Sequence, residues 1–170
     1  MRPATVRDTI TPDHTAIQTM LEELFLPYAE WPEHRLEACC IWPDKKADKR
    51  PPGRHFTVEE IATTAAWLSE MNQDGWGVYV GAGLRHEGAP EGKRANKTHV
   101  ELTKWLWLDF DAEGTAEAAR ATLAKYDLTP TFWVQTGSQP FERWHAWFQL
   151  DEPVDGKAAE DLTDRLFKAL

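Results

Sequence analysis

The sequence predicts an α+β fold in which helices cover one face of an antiparallel sheet and leave the other face open. Two observations indicate this fold. Helical and strand patterns both occur in each half of the chain, and the second half follows the order strand, helix, strand, strand, helix. Antiparallel sheets commonly leave one face to solvent. At 170 residues and 42% hydrophobic composition, we expect one domain over residues 1–170 with a hydrophobic core.

The first part of the chain shows patterns for a helix, a strand and a loop. Apolar residues recur at three- and four-residue spacing over residues 17–25, which predicts a helix that Pro27 ends. Residues 35–42 predict a strand between two prolines. The basic, proline-rich segment 43–55 that follows predicts a loop.

A second helix and a second strand follow. Thr57 and Glu60 form a capping box, in which each side chain binds an otherwise unpaired backbone amide, and the helix is expected to reach about Met71. Residues 76–80 predict a strand that ends in a glycine-rich stretch. We expect residues 84–99 to form a long polar loop, which in a compact domain is either functional or disordered.

The second half is more regular. We expect strands over residues 104–111, 131–136 and 143–150, because each is a short apolar or alternating run. Helical spacing over residues 115–126, and again from about residue 155, predicts two helices. This order gives the open-faced sheet of the predicted fold.

Charge argues against a protein that coats nucleic acid, because the net charge is −9 and phosphate neutralisation needs clustered cations. Two basic segments nevertheless run against this average. They are either solvated loops or local phosphate contacts. The first contains Lys45, Lys46, Lys49, Arg50 and Arg54, and the second contains Arg85, Lys93, Arg94 and Lys97.

Hydropathy favours a cytoplasmic protein. No run approaches the eighteen or so apolar residues of a membrane-spanning helix, and the N-terminus lacks a signal-peptide pattern. The adjacent residues Cys39 and Cys40 point to opposite faces of their strand, which suits neither a metal knuckle nor an ordinary disulfide. We interpret them as small buried or half-buried thiols.

Two aspartates near the end of the strand at 104–111 are the strongest chemical signal. Alternation places Asp109 and Asp111 on one face together with Trp105 and Trp107, about 7 Å apart along the strand. Their oxygens can converge on a hard cation such as Mg²⁺ or Mn²⁺, and such sites stabilise displacement at phosphorus. The alternative is that the two carboxylates merely end the strand and solvate the turn.

A second constellation lies in the strand at 143–150. Alternation places Arg143, His145, Trp147 and Gln149 on one face. In a sheet with this element order the strand can neighbour the aspartate strand, where a His and an Arg would suit a triphosphate. The alternative is a structural histidine with no role in chemistry.

These motifs resemble the archaeo-eukaryotic primase superfamily, in particular the primase-polymerases of phages and plasmids, over residues 77–154. The strand and glycine-rich loop at 78–85 are similar to the segment that precedes the active site in that family. Trp-Leu-Asp-Phe-Asp at 107–111 resembles its first motif. Thr-Gly-Ser-Gln-Pro at 136–140, leading to the His-containing strand and Leu-Asp-Glu-Pro at 144–153, resembles its second.

The resemblance implies a primase-like core, with an N-terminal α/β unit at about 1–83 and an RRM-like unit at 100–170 that carries the motifs. It implies a DNA primase or polymerase that performs nucleotidyl transfer in the replication of a mobile element. Asp109 and Asp111 would bind Mg²⁺ or Mn²⁺, and His145 would contact the incoming nucleotide. The implied partners are nucleoside triphosphates, a single-stranded DNA template and a downstream helicase domain or partner. Because they are basic, Lys93, Arg94 and Lys97 are candidates for template or phosphate contact.

Two positions depart from the family pattern. Arg143 stands where the family has a small hydroxyl residue two before His145, so Ser138 could replace that residue only if the turn folds back. The family's third acidic motif belongs on a later strand, whereas this sequence ends at Leu170 in a predicted helix, so we expect a fragment or a truncated gene product that lacks the motif.

Three other functions remain open from the sequence. A replication-initiation module would bind DNA without polymerising. A metal-dependent nuclease would use the same two carboxylates. A structural RRM-like domain would bind neither metal nor nucleotide.

Overall fold

The computed structural model describes residues 11–43 and 52–170, which form two compact units that meet in sequence at His99 and Val100. Over these described residues, each unit contains three antiparallel strands and two α-helices. The first unit contains α1 (His14–Phe25), β1 (Arg35–Ile41), β2 (Gly53–Phe56), α2 (Ile61–Gln73) and β3 (Gly77–Arg85). The second contains β4 (Val100–Phe110), α3 (Thr115–Lys125), β5 (Phe132–Gly137), β6 (Arg143–Asp155) and α4 (Gly156–Ala169).

In the first unit the strands lie in the order β2–β1–β3. Asp13 caps α1 by accepting from the Ala16 amide, a contact that was not predicted from the sequence, whereas the predicted capping box of Thr57 and Glu60 is present and precedes α2. The buried ring of Phe25 packs edge-to-face against Phe56 of β2, with the ring centroids 5.3 Å apart. These contacts give the unit its own apolar core.

Two loop predictions in this unit are wrong. Residues 53–56 form β2. This strand was not predicted because its residues show little apolar alternation, and it forms by pairing with β1. The glycines after residue 80 do not end β3, which continues to Arg85. Gly81 is needed there because a Cβ at this position would lie 1.9 Å from a guanidinium nitrogen of Arg85. Lys45, Lys46, Lys49 and Arg50 lie outside the described residues.

In the second unit the strands lie in the order β4–β6–β5, and the predicted element sequence is confirmed. Leu108, Phe110 and Ala146 form a buried cluster with Ala116 and Ala119 of α3. Further apolar side chains pack against this cluster: Trp133, Trp144, Phe148, Leu166 and Leu170. The helices therefore cover the face that alternation assigned to the core, and the α+β prediction is confirmed.

Residues 86–96 follow β3 without regular structure, and Lys97–His99 form a short 3-10 helix. The backbone amide of Ala95 donates to Glu37 of β1, and the amide of Gly53 donates to the carbonyl of Gly92. These contacts tie the segment to β1 and β2. Within the described part of the chain, no helix has both the length and the apolar character needed to cross a membrane.

Candidate functional site

Strand register brings the two predicted constellations together. In the β4–β6 pairing, Asp109 lies directly opposite His145. The His145 Nε2 atom is 3.2 Å from the Asp109 Oδ1 atom, and the side chains are 28% and 50% exposed, respectively. The prediction that these strands are neighbours is confirmed, and it places a carboxylate and an imidazole in contact on a surface that ligands can reach.

The second carboxylate affects the protonation of the first. Partial burial raises the pKa of Asp109, and the negative charge and hydrogen bond of Asp111 raise this pKa further. His145 acts in the opposite direction, because its positive form favours the ionised carboxylate, but it does not cancel the rise. The negative charges of the two aspartates therefore repel each other, and a bound cation would reduce this repulsion.

The donor set fits a hard cation shared with a ligand. Carboxylate oxygens are the donors that Mg²⁺ prefers, and this ion is usually held by one or two carboxylates together with substrate phosphates. Among residues 11–43 and 52–170, no group of three or more His, Cys, Asp or Glu side chains is arranged to hold a metal. Asp109 and Asp111 could thus hold a metal with phosphate oxygens completing its coordination, but not within a closed protein cage.

Arg143 extends across the neighbouring strand at the same end of the sheet. It begins β6 and pairs with Gly137 of β5. A Cβ at Gly137 would lie 2.1 Å from one terminal nitrogen of Arg143 and 2.6 Å from its Nε, so the guanidinium occupies space that only glycine leaves free. Within the described chain, the buried Nε of Arg143 has no hydrogen-bond partner. Ser138 follows Gly137 directly and is exposed in the turn.

Aromatic side chains occupy the other part of this face. Trp107 lies opposite Trp147, and Trp147 lies opposite Phe132, so the three rings cross β4, β6 and β5 in a line. Their centroids are 5.6 Å and 5.9 Å apart, with interplanar angles of 24° and 18°. Trp105 meets both Phe132 and Trp147 edge-on. We call these four residues the aromatic row.

The basic residues predicted to contact a template lie in the first unit. Lys93 and Arg94 are exposed in the segment after β3, and Lys97 is exposed at the start of the 3-10 helix. Arg85, which the sequence grouped with them in a loop, instead lies in β3. It is buried and binds the buried carboxylate of Glu37. Arg85 is therefore a structural cation.

The sequence missed two features of the site. Alternation placed Trp105 and Trp107 on the aspartate face but gave no reason to connect them with Phe132, which joins them only through the β5–β6 register. The contact between Gly137 and Arg143 is also invisible in the sequence, because it depends on the pairing of the two strands. A glycine directly opposite an arginine in a predicted hairpin is the signal that could have revealed it.

Comparison with known proteins identifies the fold. No family model and no curated protein matches this sequence. Among solved structures, the chain is similar to the AEP domain of the primase-polymerase (PrimPol) of cyanophage S-2L. The TM-score is 0.62 at 16% sequence identity, and the match covers 91% of this chain and 72% of that one. The chain therefore has the fold of an archaeo-eukaryotic primase domain.

Proposed function

We propose that this chain is a primase-polymerase module that performs metal-dependent nucleotidyl transfer during replication of a phage or another mobile element. The observation that carries the proposal is the 3.2 Å contact between Asp109 and His145, with Asp111 beside them, on neighbouring strands of a primase-like fold. This pairing joins the residues that bind cations with a residue that binds phosphate. A purely structural sheet gives no reason for this combination on an exposed face.

In this proposal Asp109 and Asp111 supply the oxygen ligands for Mg²⁺ or Mn²⁺. The bound cation would neutralise phosphate charge and polarise the attacking hydroxyl. The reaction joins a 3′ hydroxyl oxygen to the α-phosphorus of a nucleoside triphosphate, releases pyrophosphate and transfers the hydroxyl proton to solvent. The aspartates must be ionised to bind the cation, and cation binding would lower the raised pKa of Asp109.

His145 and Arg143 would bind the triphosphate. A protonated imidazole has two N–H donors, so His145 can donate to Asp109 from Nε2 and to a phosphate oxygen from Nδ1. The guanidinium of Arg143 suits phosphate because its planar donors match two oxygens at once, and its Nε has no partner in the described residues. The exposed hydroxyl of Ser138 follows Gly137 and could add a further donor.

Template binding is the remaining part of the proposal. Lys93, Arg94 and Lys97 are exposed and lie within a short segment, which suits contact with the phosphates of single-stranded DNA. Such contacts would be sensitive to salt, and they would position the strand without reading its sequence.

The proposal is tested by calorimetry with Mn²⁺ and a nucleoside triphosphate. We compare the wild-type chain with the double variant Asp109→Ala/Asp111→Ala. The matched control is Asp161→Ala/Asp164→Ala, which also removes two carboxylates close together in the chain, but from exposed positions of α4. We expect metal-dependent binding in the wild type and in the control, and none in the Asp109/Asp111 variant.

Other outcomes separate the alternative functions. Binding of single-stranded DNA that survives in the Asp109/Asp111 variant, without triphosphate binding in the wild type, would favour a replication-initiation module. Metal-dependent loss of DNA without added nucleotides would favour a nuclease. A folded wild-type chain that binds neither metal, triphosphate nor DNA would contradict the proposal in favour of a structural domain.

A further inference from the structure

The face of β4 and β6 that carries Asp109 differs in character along the strands. One end carries Asp109 and His145, with Asp111 and Arg143 next to them, and it suits phosphates and a cation. The other end carries the aromatic row. Trp107 in the aromatic row and Asp109 are two positions apart along β4, a distance of about 7 Å. A nucleotide has the same polarity over a similar length, because its charged phosphates and its flat base lie on opposite sides of the sugar.

Within the aromatic row, Trp107 is the ring available to a ligand. Trp107 is 45% exposed, whereas Trp147 and Trp105 are 4% and 1% exposed. Trp147 stacks against Trp107 on one side and Phe132 on the other. The buried ring of Trp147, itself packed on Phe132, therefore restricts the orientation of Trp107, so that stacking a base on Trp107 costs little side-chain entropy.

We propose that Trp107 stacks on the nucleobase of the incoming nucleoside triphosphate while the phosphates are bound at Asp109 and His145. This inference rests on the proposed function. It assigns the aromatic row a role in binding the base and identifies Trp107 as the residue that contacts it. Because every base has a flat face, the contact would be tolerant of base identity.

The neighbours of Trp107 favour the incoming nucleotide over the template. A stacking site for a single strand needs cationic side chains beside it to follow the phosphates. On this face, Trp107 is flanked along β4 by Trp105 and Asp109 and across the sheet by Trp147. None of these neighbours is Lys or Arg. His145 and Arg143, which are proposed to bind phosphate, lie toward the Asp109 end of this face, as a triphosphate requires.

The test compares two ligands, ATP and inorganic triphosphate, each titrated calorimetrically with Mn²⁺. The wild-type chain should bind ATP about ten-fold more tightly than inorganic triphosphate, which corresponds to ~1.4 kcal/mol. In Trp107→Leu, which keeps an apolar side chain on Trp147 but removes the ring, we expect ATP affinity to fall about ten-fold and triphosphate affinity to stay unchanged. Trp107→Phe should retain most of the ATP affinity. Tyr126→Ala, which removes an exposed ring just after α3, is the matched control.

Each remaining outcome overturns the inference in a distinguishable way. Equal wild-type affinities for ATP and triphosphate would show that the base is not bound, while the proposed function would stand. An unchanged ATP affinity in Trp107→Leu, with weaker binding of an oligothymidylate, would assign the ring to the template. Absence of triphosphate binding by the folded wild type would overturn the proposed function and the inference together.

Discussion

Removing the cation of the buried Glu37–Arg85 pair should destabilise the protein strongly. Glu37 is 3% exposed and Arg85 is 8% exposed. One carboxylate oxygen of Glu37 accepts from Arg85 Nε at 3.1 Å and from a terminal nitrogen at 2.8 Å, and the other accepts from the amide of Ala95. In Arg85→Met the buried carboxylate keeps only the hydrogen bond from Ala95.

The expected magnitude follows from this geometry. Leaving one member of a buried ion pair uncompensated costs about 3–5 kcal/mol. For a chain of 170 residues, each kcal/mol lowers Tm by about 2–4 °C, so Tm should fall by about 10 °C. Both Arg85→Met and the double variant Glu37→Met/Arg85→Met lose the hydrogen bond to the Gly83 carbonyl. The double variant should nevertheless be less destabilised, because no charge is left buried and the further loss is the partner of the Ala95 amide, at about 1–3 kcal/mol.

The assay is thermal and urea unfolding of the wild type, the variants and one control. Arg35→Met is the control because Arg35 also binds a glutamate, Glu91, at 2.7 Å, but both side chains are exposed. Exposed ion pairs contribute about 0–1 kcal/mol. A cost of Arg85→Met no larger than that of Arg35→Met, or a double variant less stable than Arg85→Met, would contradict this expectation.

Two further predictions concern the site and the thiols. Gly137→Ala should leave Tm within about 2 °C of the wild-type value, because the added Cβ meets only the flexible end of Arg143. The same variant should weaken triphosphate binding as much as Arg143→Ala does, because the Cβ displaces the guanidinium. If calorimetry showed that the two losses add in the double variant, this prediction would be contradicted. Burial, with a contribution from Cys39, raises the pKa of the Cys40 thiol to about 11. In the unfolded chain this thiol loses its proton at a lower pH than in the folded protein, so the free energy of unfolding should fall by about 2 kcal/mol between pH 9 and 11. Urea unfolding of Cys40→Ala over the same pH range should show a smaller fall.

Local pattern was sufficient to predict most elements and the two faces of the central strands. In β4 the side chains of Leu108 and Phe110 are buried against α3, whereas Trp107 and Asp109 are exposed on the other face. Alternation predicts this because successive side chains of a strand point in opposite directions whatever the strand pairs with. The resemblance to primase-polymerases rests on the same local motifs, and the fold it implies is confirmed by the structural comparison.

Features that depend on a distant segment were not predictable in the same way. The strand β2 has too little apolar alternation to be recognised, and it forms because β1 supplies its hydrogen bonds. The sequence predicts that Arg85 is a cation in a solvated loop. In the structure it is buried and forms an ion pair with Glu37, which lies 48 residues earlier in the chain. Propensity gives no information about either contact, because both segments must first be brought together by the fold.

The site shows the same division. Asp109 shares a strand face with Trp107, and His145 shares one with Arg143; both facts were predictable from the sequence, because side-chain direction along one strand is a local property. The position of Asp109 opposite His145, and the space that Gly137 leaves for Arg143, are visible in the folded chain alone. The register between strands sets these contacts, and register is fixed by the packing of one whole face and by the intervening turns rather than by either strand alone.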